Sequence, residues 1–209
     1  MSERVPRCNR VSPLGDIVSV DARGTLWGNR GGCLHDAAGK ILRTHTSKAW
    51  ITCVLEFKGW WRPVMTPGQF TELFFLDEAT ALAAGHRPCY LCRRGDATAF
   101  ADAMADGVGK PRPLRAPAID AMLHPLRTPT GPKRPTWAAP ASHLPDGAMV
   151  RFDGAEWLVQ GHALRRWSFL GYGPPSEPLP AITLDVLTPE PTVKAIAAGY
   201  PVALHPSAG

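Results

Sequence analysis

The segment Asp77-Glu78-Ala79-Thr80-Ala81-Leu82-Ala83-Ala84-Gly85-His86-Arg87-Pro88-Cys89-Tyr90-Leu91-Cys92 places a helix start, a helix stop and two thiols next to one another. Asp77 is a good N-cap, because its carboxylate accepts from the free N–H groups of a first turn. Glu78 complements the positive end of the helix dipole. The alanines that follow are strong helix formers, and Gly85 stands where a left-handed C-cap belongs. The predicted helix therefore delivers the chain directly to Arg87-Pro88-Cys89. Two cysteines at this spacing, in a tight turn, point both sulfurs at a tetrahedral ion about 2.3 Å away. A redox dithiol is the competing reading. It expects a helix start after a buried parallel strand, and that pattern is missing. Pro88 stiffens the entry to the knuckle, and Arg87, Arg93 and Arg94 help to hold thiolates. Metal, with Zn2+ as the expected ion and Cys89 and Cys92 as two of its ligands, is the reading carried forward.

Outward from this segment the chain reads as β-rich on both sides. Upstream, Ile17-Val18-Ser19-Val20, Thr25-Leu26-Trp27, Lys40-Ile41-Leu42-Arg43, the long run Ala49 to Phe57, and Phe70 to Phe75 carry β-branched and aromatic residues between turn signals. Downstream, a second helix is predicted from Asp96 to about Ala105, and residues 107 to 145 are Pro-rich and read as an irregular connection. Strands return at Ala148 to Phe152, Glu156 to Val159, Ala163 to Trp167 and Ile182 to Leu187, followed by a short helix from about Pro191 to Ala198. The fold class is α+β: a β-rich zinc-binding N-terminal half with a short helix leading into the knuckle, plus a small C-terminal β-sheet or barrel with one helix. The corresponding division is 1–106, a basic connection at 107–145, and 146–209.

Bulk properties restrict the class of function. With 209 residues and 44% apolar content the chain can bury a real core. No stretch approaches the ~18 consecutive apolar residues of a membrane helix, and the first residues lack the apolar centre of a secretory signal. Five cysteines, an odd number, favour metal or free thiols over disulfides and point to the cytoplasm. Residues 87 to 135 hold nine Lys or Arg against four Asp, an excess equal to the whole net charge of +5. A basic segment beside a metal knuckle suits a polyanion such as DNA or RNA; a solvated surface loop has the same composition.

The order of elements from Glu72 through Leu73-Phe74-Phe75 and the Asp77-to-Gly85 helix to Arg87-Pro88-Cys89-Tyr90-Leu91-Cys92-Arg93 resembles the second half of the Ada-type metal-binding domain. In that family a strand, an EA-x-A-x-x-A-G helix and an R-P-C-x-x-C knuckle follow one another. The resemblance is confined to about residues 70–94, and it implies that Cys89 and Cys92 ligate zinc in a DNA-acting module. The family's upstream C-x-x-x-C is missing here, so alkyl transfer is not carried over. Three residues compete for the two remaining ligand places. Cys33 and His35 are two apart and share a face if extended, while Cys53 lies in an apolar run where a lone thiol is often core. His35 with Cys53 is the preferred pair, and Cys33 is the substitute; Cys8 is read as a free thiol.

Further candidates are weaker. Gly28-Asn29-Arg30-Gly31-Gly32 is a glycine-rich turn whose backbone and Arg30 suit phosphate, or simply a hairpin needing positive φ. Trp60 and Trp61, with Lys58 and Arg62, have the composition of a base-stacking surface. His35, Asp36, Glu72, Asp77 and His86 form an acid/base set should the metal keep an open position. The leading expectation is a zinc protein with a structural metal that contacts nucleic acid through Arg30, Trp60, Trp61, Arg87, Arg93 and Arg94. The alternatives are a metal-dependent hydrolase or nucleic-acid-modifying enzyme, or a protein-interaction module.

Overall fold

The computed structural model describes residues 6–128, 134–178 and 181–209. Residues 1–5, read above for a signal sequence, and Lys133 of the basic stretch lie outside them. The architecture is α+β, with two six-stranded sheets and four α-helices among the described residues. The first sheet contains β1 (Cys8–Val11), β2 (Ile17–Ser19), β3 (Leu26–Asn29), β4 (Ile51–Val54), β5 (Leu73–Phe75) and the two-residue β6 (Arg87–Pro88). Its order is β2-β1-β5-β3-β4-β6, with β1/β5 and β4/β6 parallel and the other pairs antiparallel. The second sheet is antiparallel throughout. It comprises β7 (Trp137–Pro140), β8 (Met149–Phe152), β9 (Ala155–Gln160), β10 (Ala163–Ser168), β11 (Gly171–Pro178) and β12 (Thr183–Val186), in the order β11-β10-β9-β8-β12-β7.

Between the sheets lies α1 (Glu78–Ala83), and every residue in it is buried. A helix buried on all sides has no solvent face, and its alanines explain how two sheets approach it together. Ala81 joins Val11, Leu26, Leu73 and Phe75 in the core of the first sheet. Ala79 and Ala83 join Met149, Leu158, Trp167 and Leu187 in the core of the second. Leu82 packs instead into a helical core with Phe100, Met104, Ile119, Leu123 and Ile196. That core is built by α2 (Arg94–Gly107), α3 (Ala116–Arg127) and α4 (Glu190–Ala197).

The two acids at the start of α1 tie its end to the C-terminal segment. Asp77 Oδ1 caps the helix by accepting from Thr80 N at 2.9 Å, while Oδ2 accepts from Tyr172 OH at 2.9 Å and His205 N at 3.0 Å. Glu78 Oε1 accepts from Tyr200 OH and Arg93 NH2, both at 2.7 Å, and Oε2 accepts from Ala203 N at 3.0 Å. These carboxylates are buried, so their full set of partners is what makes them tolerable there.

The described residues of 107–145 hold more regular structure than the proline content predicts. They contain α3 and β7. Pro117 sits in the first turn of α3, where a missing N–H has no cost, so proline here marks a helix start. Conversely, Lys40 to Arg43 is not a strand; only an isolated bridge, His35 to Ile41, forms there.

A substitution of Ala83 tests the double packing of α1. Ala83→Leu adds volume where two cores meet and is expected to lower unfolding stability by roughly 1–3 kcal/mol. Urea unfolding followed by tryptophan fluorescence and by far-UV circular dichroism should show one shared transition displaced to lower urea. An unchanged midpoint would contradict the placement of α1 between the cores.

Candidate metal centre

Cys53, Cys89 and Cys92 are brought together with their sulfurs within 4.8 Å of one another, and this group is placed to hold a metal ion. Sulfurs about 2.3 Å from a tetrahedral ion stand about 3.8 Å apart, so the cluster needs only a small contraction. The cause is a strand pairing: β6 runs parallel to the first half of β4, pairing Ile51 with Arg87 and Thr52 with Pro88. Arg87 N donates to Trp50 O at 3.1 Å and Cys89 N donates to Thr52 O at 2.9 Å. That register sets Cys53 beside Cys89. Pro88 fits because a two-residue strand at the sheet edge does not require its N–H. The knuckle then closes with Arg93 N donating to Cys89 O at 2.9 Å.

Peptide N–H groups converge on the sulfurs. Leu91 N lies 3.4 Å from Cys89 Sγ, the Cys92 N–H also points at Cys89, and the Val54 N–H points at Cys92. The nearby Cys53 thiol and the two backbone donors lower the Cys89 pKa to about 5 against the opposing effect of burial. Cys53, beside Cys89 and buried, is pushed far up. Burial raises Cys92. A dication bound there displaces the protons that the thiols still carry.

The three cysteines also line a cavity of about 680 Å³. Its walls are aromatic: Trp27, Phe57, Trp60, Trp61, Phe70 and Phe74. Trp27 and Phe70 stand nearly parallel, 9° apart with centroids separated by 5.9 Å. The Arg62 guanidinium lies over both rings, 3.8 Å from Phe70 and 4.7 Å from Trp27, and donates to Glu72 Oε1 at 2.8 Å. Trp60 and Trp61 are 66% and 84% exposed at the rim.

The other residues singled out in the sequence fall elsewhere. His35, the preferred ligand, and Cys33, its substitute, are not part of the cluster. His35 Nδ1 lies 2.6 Å from Thr71 Oγ1, and the Cys33 thiol donates to His35 O at 3.1 Å. Of the expected Cys3His set the structure groups Cys53, Cys89 and Cys92 among the described residues, while Thr71 holds the Cys33–His35 segment. Arg87 makes a bidentate pair with Asp120, and Arg93 pairs with Glu78 and Asp96. Arg30 is buried against Trp50, donating to Gly15 O and His86 Nε2. These three arginines serve the interior and are not presented to a polyanion, whereas Arg94, Trp60 and Trp61 are exposed. Of the acid/base set, Asp77 is the helix cap, Asp36 closes its own turn, and His86 is enclosed by Phe75 and Trp50. Glu72 lines the cavity, but its oxygens accept from Arg62 and from Met65 N at 2.7 Å.

Comparison with protein-family models, with curated proteins and with solved structures gives no match, so the Ada-type resemblance rests on its motif alone.

Two outcomes follow from this geometry. Cys53→Ser is expected to abolish stoichiometric zinc uptake, while His35→Ala and Cys33→Ser retain it; metal content after dialysis measures this. In the metal-free protein, thiolate absorbance in the far ultraviolet should already show one thiolate at pH 7, titrating away as pH falls through about 5. A cluster silent until pH 8 would contradict the lowered pKa of Cys89.

Proposed function

We propose that the protein binds one zinc ion through Cys53, Cys89 and Cys92 and offers its fourth coordination position to an exchangeable ligand. The observation that carries this reading is that all three cysteines of the cluster line one aromatic cavity. Structural zinc sites are closed by four protein ligands, and sites that act on ligands keep a position open. Three cysteines with no fourth donor in the cluster among the described residues, beside an accessible cavity, favour the second type. Zinc suits the donors because a soft thiolate set in tetrahedral disposition selects it over magnesium or calcium. The cavity's carboxylate, Glu72, is fully engaged, which favours ligand binding at the metal over hydrolysis by a metal-activated water. Five free cysteines fit a reducing compartment such as the cytoplasm. No helix is long and apolar enough to cross a membrane among the described residues.

The open position is tested by water exchange. The Co2+-loaded protein should relax solvent protons more strongly than the zinc-loaded protein, because a bound water exchanges with bulk. Equal relaxation in the two would mean a shell closed by protein and would sink the reading.

Contact with single-stranded nucleic acid is a second reading, favoured by the exposed pair Trp60 and Trp61, with Lys58 beside them in sequence. Each stacked base is worth about 1–3 kcal/mol. A labelled single-stranded oligonucleotide should bind at low salt, weaken as salt rises, and lose at least about fivefold in affinity in a Trp60→Ala, Trp61→Ala variant. Undetectable binding at low salt, or identical binding by the variant, removes this reading.

A further inference from the structure

We infer that the ligand completing the metal site is a neutral, planar nitrogen heterocycle, which donates a ring nitrogen to the ion and lays its face against the aromatic wall of the cavity. This rests on the three-thiolate reading above and adds the chemical class of the ligand.

Three observations select that class. The first is charge. Three thiolates around a dication leave one net negative charge at the end of an apolar cavity. An anionic donor would add a second negative charge in surroundings that solvate it poorly. The cavity's cation, Arg62, offers no compensation, since its guanidinium already pairs with the buried Glu72. A neutral lone-pair donor avoids the conflict. Among neutral donors, imidazole-type nitrogen suits zinc well.

The second is shape. Trp27 and Phe70 present nearly parallel faces, and the group that lies on them is itself planar, delocalised and rich in nitrogen. The Arg62 guanidinium shows what chemistry this wall accepts: flat, polar at the edge and stacked on the ring faces. Phe57 and Trp60 meet edge to face at 5.5 Å and continue the wall to the rim. Because Arg62 already lies on Trp27 and Phe70, a ligand ring stacks on the part of the wall nearer the rim, at Trp60.

The third is size and exposure. About 680 Å³ accommodates more than a water or a single imidazole. The exposed apolar residues Leu55, Trp60, Trp61 and Leu91 all line the same cavity. Exposed apolar surface concentrated around one opening marks a binding site. The metal supplies direction, and the wall supplies area.

The test uses the full chain loaded with Co2+, whose sulfur-to-metal charge transfer reports the thiolates and whose ligand-field bands report the fourth ligand. Phenylimidazole, imidazole and benzoate are the probes. Phenylimidazole should shift the ligand-field bands saturably and bind at least about fivefold more tightly than imidazole, reflecting one stacked ring. Benzoate, similar in shape but anionic, should leave the bands in place. Trp60→Ala, at an exposed position that the fold does not need, should cost phenylimidazole about fivefold and imidazole little. Displacement by adenine or by a purine oligonucleotide then assigns the heterocycle to a free small molecule or to a nucleic acid chain; both belong to the class proposed. Bands that stay fixed with phenylimidazole, benzoate binding of equal strength, or equal affinities for phenylimidazole and imidazole in wild type and Trp60→Ala each overturn the inference. Intact charge transfer in those cases leaves the three-thiolate reading standing. Absence of charge transfer on cobalt loading overturns that reading itself and the inference with it.

Discussion

Two peptide hydrogen bonds hold β6 against β4, from Arg87 N to Trp50 O and from Cys89 N to Thr52 O. Everything at the candidate centre depends on that pairing. A side chain in β4 and the first cysteine of the knuckle are neighbours only while the strands stay in this register; a one-residue slip would turn Cys53 to the opposite face. The pairing is short, and it is reinforced from the side. Thr52 Oγ1 accepts from Arg93 NH1 at 3.0 Å, and Arg93 is itself held by Glu78 and Asp96. One arginine thus links the β4 strand, the start of α1 and the start of α2. The cysteines converge because three separate elements are fixed against one another around them.

Charge inside this molecule is used for the same purpose. Of the eight described basic residues between positions 87 and 135, four are directed inward, while Arg94, Lys110, Arg112 and Arg115 are exposed. Arg87 meets Asp120, Arg93 meets Glu78, Arg127 donates to Gly85 O and Lys48 O, and Arg134 donates to Pro13 O and Leu187 O. Burial without a full carboxylate partner lowers Arg127 and Arg134 to about 10 and Arg30 to about 9. A guanidinium so placed acts as a fork of donors for backbone carbonyls that β-rich packing leaves unpaired. Net charge on a segment therefore says little about a polyanion partner until each cation's own partner is known.

The sequence carried some of this clearly. Asp77 and Gly85 bracket a helix by local chemistry, and the helix forms where they place it, with Gly85 at φ +85°. The alternating strands from Met149 to Trp167 are also local and appear within a residue or two of the expected limits, whereas the β-branched run expected from Ala49 to Phe57 forms a strand only over Ile51–Val54. Other features depend on partners distant in the chain. Arg87-Pro88 has no strand propensity and is extended because β4 lies beside it. The Cys33–His35 spacing suits a metal ligand pair in a regular strand, but Thr71 Oγ1, sitting beside both Leu34 N and His35 Nδ1, holds that segment in place. Cys53, read from the sequence as a preferred ligand that a core thiol would mimic, is buried like a core thiol; the β4–β6 register is what sets it beside Cys89. The aromatic cavity was partly visible in Trp60 and Trp61, whereas the contribution of Trp27 and Phe70 required the pairing of β3 with β5 and the return of the loop carrying Arg62.

The central claim is a three-sulfur metal site with one position left to a non-protein ligand. X-ray absorption spectroscopy on the zinc-loaded chain addresses it most directly. The expected first shell is three sulfurs near 2.3 Å and one oxygen or nitrogen near 2.0–2.1 Å, the lighter atom changing when small ligands are added. Four sulfurs, or a histidine ring signature that vanishes in His35→Ala, would contradict the account.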